Sequence, residues 1–366
     1  MKLIPLTLRI ATCLTALAMV SCQPRQDIDR VSWSDPSPHR TVELQVGGLR
    51  LQYLTWGERG EPVVFVHGSG DSPHYFDAIA PVLAATHRVI APARRGHGQS
   101  EVPSAPFTLD DLTDDLAGLL DSLHLDKVTL IGFSFGGNEI TRFAERYPSR
   151  VSRLVYLDAA FDKSRPEQAA VFATLPPLPQ PTPSDFESLT SFRTFAQSVW
   201  YPGVEWTPTM EAVLRDFAAV GPDGRVTIPS DRVAPSMTAI ENGNQRDYSG
   251  IRCPVLVIVP ERYELAPSGA DATLRATMAK WHAEQFVPYQ RAIVEILERE
   301  IPGVRIVRLK ALGHNALTVA ARDEILAELQ TFLAPAEPGT RARTSRRPPP
   351  TRATRRHDAR RSPEAA

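Results

Sequence analysis

Cysteine is scarce: Cys13, Cys22 and Cys253 are the three in 366 residues. So few, so far apart, they give neither a disulfide framework nor the paired spacing of a zinc site. Net charge is nearly absent, at −1 from 41 basic and 42 acidic residues. Long apolar runs are missing too. The stretch Ile10–Val20, eleven residues without a charge, is too short to cross a bilayer. No internal repeat is apparent. What remains is ordinary globular composition, 42% hydrophobic and 23% charged, which excludes a wholly disordered chain, a coiled coil and a multi-span membrane protein. The length fits one large domain or two small ones. The charge balance hides a split. Residues 335–366 carry nine Arg, no Lys and three acids (Glu337, Asp358, Glu364), a net of +6 that leaves −7 on the rest. A mildly acidic body has no nucleic-acid footprint, so no nucleic acid is expected as a partner.

The two ends read as something other than fold. Lys2 and Arg9 precede the apolar stretch, and Met19-Val20-Ser21-Cys22 follows it, so residues 1–22 read as a signal peptide. Small residues before a cysteine resemble the signal of bacterial lipoproteins, which makes Cys22 the lipidation site. That reading is favoured over ordinary secretory cleavage after Ala16-Leu17-Ala18. Both export the chain, to the periplasm or cell envelope, and the first anchors it to a membrane. Residues 23–40, with Pro24, Pro36 and Pro38, read as a linker. The Arg/Pro-rich segment 335–366 has almost no large apolar residue and is expected to be disordered.

Between these ends, strand and helix patterns alternate. Thr41–Val46 and Leu49–Trp56 flank Gly47-Gly48, a hairpin signal. Pro62–Val66, Arg88–Pro92, Val128–Phe133, Arg153–Leu157, Val255–Val259 and Arg305–Leu309 are further strand candidates, the first a continuous apolar run of the kind parallel sheets bury. Helical patterns cover Tyr75–Ala85, Leu109–Leu123, Asn138–Tyr147, Ala272–Glu300 and Leu317–Leu333, and put Asp115 on the polar side of the second. This alternation predicts an α/β fold with a mostly parallel sheet and helices on both faces. Residues 160–250, rich in proline and aromatics, are too long for a plain loop and read as a cap inserted over the sheet's carboxyl edge. The cap's Phe186, Phe192, Phe195, Trp200, Tyr201, Trp206 and Met210 fit a substrate pocket or the cap's own core equally well.

The segment Val128–Gly137 reads VTLIGFSFGG and places Gly132-Phe133-Ser134-Phe135-Gly136 between a strand and a helix. That context makes it a nucleophile elbow: a sharp turn that exposes the serine hydroxyl and leaves no room for flanking side chains. His67-Gly68-Ser69-Gly70 closes the third strand with small residues. On these two motifs the chain resembles the α/β-hydrolase superfamily, over about Thr41–Leu333. The resemblance implies an eight-stranded sheet, with the backbone N–H groups of Ser69 and Phe135 as oxyanion donors. His67 is then a turn residue rather than a base. The turn Arg94-Arg95-Gly96-His97-Gly98-Gln99-Ser100 matches a family turn with a structural role, and Ala93 stands where an Asp often precedes it.

The resemblance also assigns the base to His314, late in the chain after the last strand. The acid departs from the usual pattern. After the seventh strand the chain reads Val259-Pro260-Glu261-Arg262-Tyr263-Glu264, with Tyr263 where an Asp is common. Asp158, at the end of the sixth strand, is the preferred acid. Glu264 is the reserve, with Glu261 behind it. A Ser134–His314–Asp158 triad implies acyl-enzyme hydrolysis of a small-molecule ester, needing no metal or organic cofactor. An aminopeptidase-like amidase and a non-catalytic ligand-binding protein on the same fold remain alternatives. The oligomeric state stays open.

Overall fold

The computed structural model describes residues 33–335, apart from 244–245 and 263–265. The signal-peptide and Cys22 lipidation readings, the Arg-rich tail and Glu264 therefore lie outside the described residues. Strands β1 (Arg40–Val46) and β2 (Leu49–Trp56) form an antiparallel hairpin, turned by Gly47 and Gly48 at φ of 57° and 87°. There follow β3 (Pro62–Val66), β4 (Arg88–Pro92), α1 (Leu109–Ser122), β5 (Val128–Phe133), α2 (Gly136–Arg146) and β6 (Val151–Leu157). An insert then carries α3 (Pro166–Ala173), α4 (Leu189–Val199), α5 (Pro208–Phe217), a two-stranded ribbon of Ala219–Val220 with Val226–Thr227, and α6 (Ala234–Gly243). The main fold resumes with β7 (Val255–Arg262), α7 (Ala272–Trp281), α8 (Val287–Glu300), β8 (Arg305–Leu312) and α9 (Arg322–Leu333). No helix among the described residues is long and apolar enough to cross a membrane.

The eight-stranded sheet has the order β1-β2-β4-β3-β5-β6-β7-β8 and is parallel from β4 to β8. The strand alternation explains its two cores. In β3, Val64 and Val66 join α1, α2 and α8 on one face, through Leu116, Phe143 and Leu297. Val63 and Phe65 join Phe76, Ile325 and Leu329 on the other. The chain leaves β3 for β4 and then crosses to β5 on β3's other side. In a parallel sheet such a reversal opens a crevice at the carboxyl ends of the strands.

Several elements differ from the sequence patterns. Tyr75–Ala85 is not one helix. A 3₁₀ turn, Pro73–Phe76, precedes a four-residue helix, Ala80–Leu83, and each has a proline in its first turn. Both prolines lack the N–H a preceding helical turn would need, so each starts an element rather than continuing one. Ala272–Glu300 is interrupted by a π-helical turn at His282–Phe286, where Val287 N–H reaches back to His282 C=O. Pro288 follows at once and has no N–H for an α-helical bond. Asp115, expected on the polar side of α1, is buried and accepts from Arg95 Nε at 2.6 Å. The second arginine of the 94–100 turn thus ties that turn to α1.

Candidate active site

Every residue of β5 is buried, and the chain then turns at Ser134 with φ of 52°. A non-glycine residue in the left-handed region costs about 1–3 kcal/mol, so the surrounding backbone must enforce it. The flanking glycines show how. A Cβ on Gly132 would stand 2.8 Å from the Gly136 backbone, and one on Gly136 would strike the Val66 carbonyl oxygen. Asp158 makes the same kind of turn at the end of β6, with φ of 44°, and its N–H donates to Ile258 C=O at 2.7 Å. His314 follows β8 behind Gly313, at φ of 85°. Its loop is pinned by Tyr75 Oη donating to His314 C=O at 3.3 Å and by Asn315 Nδ2 donating to Trp200 C=O at 3.1 Å.

These three turns bring Ser134, His314 and Asp158 together. His314 Nε2 is 2.8 Å from Ser134 Oγ, and Nδ1 is 2.6 Å from Asp158 Oδ2. With the ring proton on Nδ1, His314 donates to Asp158 and accepts from the serine hydroxyl. The Asp158 side chain is 4% exposed and His314 25%. The carboxylate end of the chain is therefore dry, and the serine end opens on solvent. Glu261 is exposed on β7.

Hydrogen bonds to two carbonyl groups fix the orientation of the peptides that carry the Ser69 and Phe135 N–H groups. Gly68 C=O accepts from Arg94 Nη1 at 3.1 Å and from His67 Nδ1 at 2.9 Å. In a trans peptide the next N–H points the opposite way, so Ser69 N–H is turned away from Arg94. Ser134 C=O accepts from Gly137 N–H at 3.0 Å, which turns Phe135 N–H away from the helix it opens. Arg94 does further work here: it donates to His67 C=O at 2.7 Å and pairs with buried Glu139 through Nε at 2.6 Å. His67 accepts from Arg94 N–H at 3.1 Å through Nε2. Burial, and then the Arg94 charge, hold the His67 pKa well below the ordinary range, so it is a neutral bracket in the turn.

A cavity of about 370 Å³ opens over Ser134 and His314. The insert's aromatics divide between two tasks. Phe192 and Phe195 are buried in the insert's own core with Leu214. Trp200, Tyr201, Trp206 and Met210 line the cavity. The sequence reading missed its polar wall. Lys163 and Glu241 both line it and pair at 2.8 Å. Asp71, two residues after Ser69, lines it as well, and burial pushes its carboxyl up to about 7. The signal for Asp71 was present, an acid next to the predicted oxyanion turn. Lys163 and Glu241 are far apart in sequence and gave none. Arg246 was missed for the same reason: it is buried, donates to Asn138 Oδ1 at 2.9 Å and contacts Ala159 C=O, bracing the turn that carries Asp158.

Comparison with known proteins agrees with this architecture. Residues 61–199 match the family model described as the alpha/beta hydrolase fold. A protein of Shewanella oneidensis, the cis-3-alkyl-4-alkyloxetan-2-one decarboxylase, is 26% identical over 307 residues, 82% of this chain and 90% of that protein. The 2-hydroxymuconate semialdehyde hydrolase of Pseudomonas sp. is 37% identical over 128 residues, 34% of this chain and 45% of that protein. The crystal structure of E-2-(acetamidomethylene)succinate hydrolase is similar with a TM-score of 0.60 at 21% identity, covering 80% of this chain and 98% of the other. The strand order, the turn at Ser134 and these likenesses together identify the architecture: the chain has the α/β-hydrolase fold.

Proposed function

We propose that this chain is a serine hydrolase that cleaves a carboxylic ester of small to medium size through an acyl-enzyme. The observation that carries the reading is the hydrogen-bonded series Ser134–His314–Asp158 at the floor of the cavity. His314 Nε2 takes the hydroxyl proton as Ser134 Oγ attacks the acyl carbon. Asp158 keeps the ring in the tautomer that can accept, and stabilises the imidazolium that forms. The N–H groups of Ser69 and Phe135 receive the charge that develops on the carbonyl oxygen, each worth about 3–4 kcal/mol in such sites. His314 returns its proton to the leaving alkoxide, and the ester C–O bond breaks. Water then attacks the acyl carbon as His314 takes its proton, the bond from the acyl carbon to Ser134 Oγ breaks, and His314 returns the proton to Ser134 Oγ as the acid leaves.

The substrate reading rests on the cavity. At about 370 Å³ it is at the small end of ligand pockets, with an aromatic wall suited to apolar arms. The oxetan-2-one in the Shewanella protein's name is a cyclic ester with two alkyl arms, which fits such a wall. The Asp158 bond to His314 favours a catalyst over a ligand-binding protein. Residues 1–22 support export and anchoring at Cys22 as part of the same proposal.

The test is labelling with a fluorophosphonate, followed by ester hydrolysis and product mass. We expect wild-type labelling on Ser134, none in Ser134→Ala, and products that have gained one water. An unlabelled wild type overturns the serine-nucleophile reading, and products that lose carbon dioxide without gaining water overturn hydrolysis.

A further inference from the structure

Asp35, His39, His74 and Asp77 form a second cluster, apart from the catalytic series. Two come from the stretch before β1 and two from the 3₁₀ turn at Pro73–Phe76 and its C-cap. One donor atom from each is within 4.8 Å of the others. His74 Nδ1 stands 2.8 Å from Asp77 Oδ2 and 3.1 Å from Asp35 Oδ2. His39 Nδ1 is 3.3 Å from Asp77 Oδ1, and its Nε2 is 3.8 Å from Asp35 Oδ2. In a tetrahedral zinc site with bonds of about 2.0–2.1 Å, neighbouring donors stand roughly 3.3 Å apart. The separations made by His74 Nδ1 and by His39 Nδ1 lie at or just below that spacing, and one donor from each residue fits within 4.8 Å.

Hydrogen bonding is poorly aligned in part of the cluster. His39 Nδ1 and Asp35 Oδ2 are buried and make no well-aligned hydrogen bond, although each stands at ion-pair distance from a neighbour in the cluster. The His39 side chain is 8% exposed, so water does not supply what the protein withholds. A buried polar atom left in that state costs about 1–3 kcal/mol. A cation at the centre of the cluster would use both atoms. The outer contacts suit one as well. Ser37 Oγ donates to Asp77 Oδ1 at 2.7 Å and accepts from Trp56 Nε1 at 3.3 Å, which fixes the carboxylate's orientation.

We propose that Asp35, His39, His74 and Asp77 form a closed, four-coordinate site for a divalent cation of the zinc class. Two neutral imidazoles and two carboxylates match the charge of such an ion and its borderline preference for nitrogen and oxygen. The site takes no part in the reaction. It staples residues 35–39 to the turn just after Ser69-Gly70-Asp71, and so holds the far end of the oxyanion loop. The same segment reaches the insert, where Arg215 of α5 stands over the Trp33 ring at 5.3 Å. The rival is a protonated His74 shared between two carboxylates. It needs no ion, and it leaves His39 Nδ1 with only the 3.3 Å contact to Asp77.

The test uses the tag-free full chain, stripped with a chelator and titrated with Zn²⁺ alone by calorimetry, with a thermal melt on the same samples. We expect about one zinc per chain and a melting temperature that rises by more than about 5 °C on binding. Asp35→Asn and His39→Ala should each weaken binding by at least about 100-fold, and Ser134→Ala should bind zinc as the parent does. Should His39→Ala fail to fold, Asp35→Asn, which keeps the side-chain shape, decides. Failure to bind zinc stoichiometrically overturns the proposal, as does unchanged affinity in Asp35→Asn. Neither readout depends on activity, so this proposal and the hydrolase reading stand or fall separately.

Discussion

Two histidines in this molecule hold an aspartate at nearly the same distance. His314 Nδ1 is 2.6 Å from Asp158, and His74 Nδ1 is 2.8 Å from Asp77. The pair alone therefore says little about chemistry. The difference is in the surroundings. His314 offers its second nitrogen to a serine hydroxyl at the floor of a cavity, on a side chain 25% exposed. His74 sits against a second carboxylate and a second imidazole, 4.9 Å away centroid to centroid, and its ring contacts no serine hydroxyl among the described residues. His67 marks a third outcome, with both nitrogens bound to backbone groups and the ring neutral. A histidine–aspartate pair becomes a proton relay only where the other nitrogen faces something that must lose a proton.

The strongest way to break this comparison is to remove groups from each pair in turn. Ser134→Ala is expected to lower kcat by about 10⁶-fold on an ester substrate. Asp158→Asn should lower it by about 10⁴-fold, because the ring loses its useful tautomer. Both should melt within about a degree of the parent. His74→Ala should act on folding, lowering stability by about 3 kcal/mol in urea titration, because it leaves buried Asp77 and half-buried Asp35 without the imidazole between them. A His314→Ala variant that loses both activity and stability would erase the distinction between the two regions.

Arg94 sits between these extremes, since it holds the loop of the proposed oxyanion donor Ser69 and is itself buried. Arg94→Met removes the donors to Gly68 and His67 carbonyls and strands Glu139 in the core. Breaking such a pair costs about 3–5 kcal/mol. Adding Glu139→Leu should recover most of the melting temperature. The double variant should still hydrolyse about 10–100-fold more slowly than the parent with a similar KM, because the Ser69 amide is no longer held for the oxyanion. Full recovery of kcat in the double variant would show that Arg94 serves only the fold.

How much of this was legible in the sequence follows from locality. The sheet was readable because β3, β4 and β5 are short apolar runs whose period fits burial on both faces, and their bounds match the patterns residue for residue. The elbow was readable because its glycines stand at fixed offsets from Ser134. Helices interrupted by Pro81 and Pro288 were not: the hydrophobic pattern runs on where the N–H is missing. Asp158 could be singled out only by its position at a strand end, because its contact with His314 joins residues 156 apart. The cluster at Asp35 and His74 had no motif at all. Its residues fall in what reads as a linker and at the start of a helical pattern, and only the fold joins them.

The smallest effect concerns Asp71, which lies in the chain between the Ser69 turn and His74. Burial pushes its carboxyl up to about 7, against the Ser72 N–H that donates to it at 2.8 Å and the opposing influence of His314 and Arg94. In the unfolded chain it titrates at its ordinary value of 3.8. Between those two values the folded chain holds a proton that the unfolded chain has lost. Stability contributed by this group therefore falls as pH rises through that window, and above about 7 the folded state carries a charged, poorly hydrated carboxylate. Asp71→Asn removes the titration and keeps an acceptor for Ser72. Parent and variant should melt together near pH 4, and the variant should melt about 2–4 °C higher near pH 8. Melts across that range check it. Parallel curves would mean that water in the cavity hydrates Asp71 fully, and would leave the loop joining the two histidine regions without a pH-dependent element.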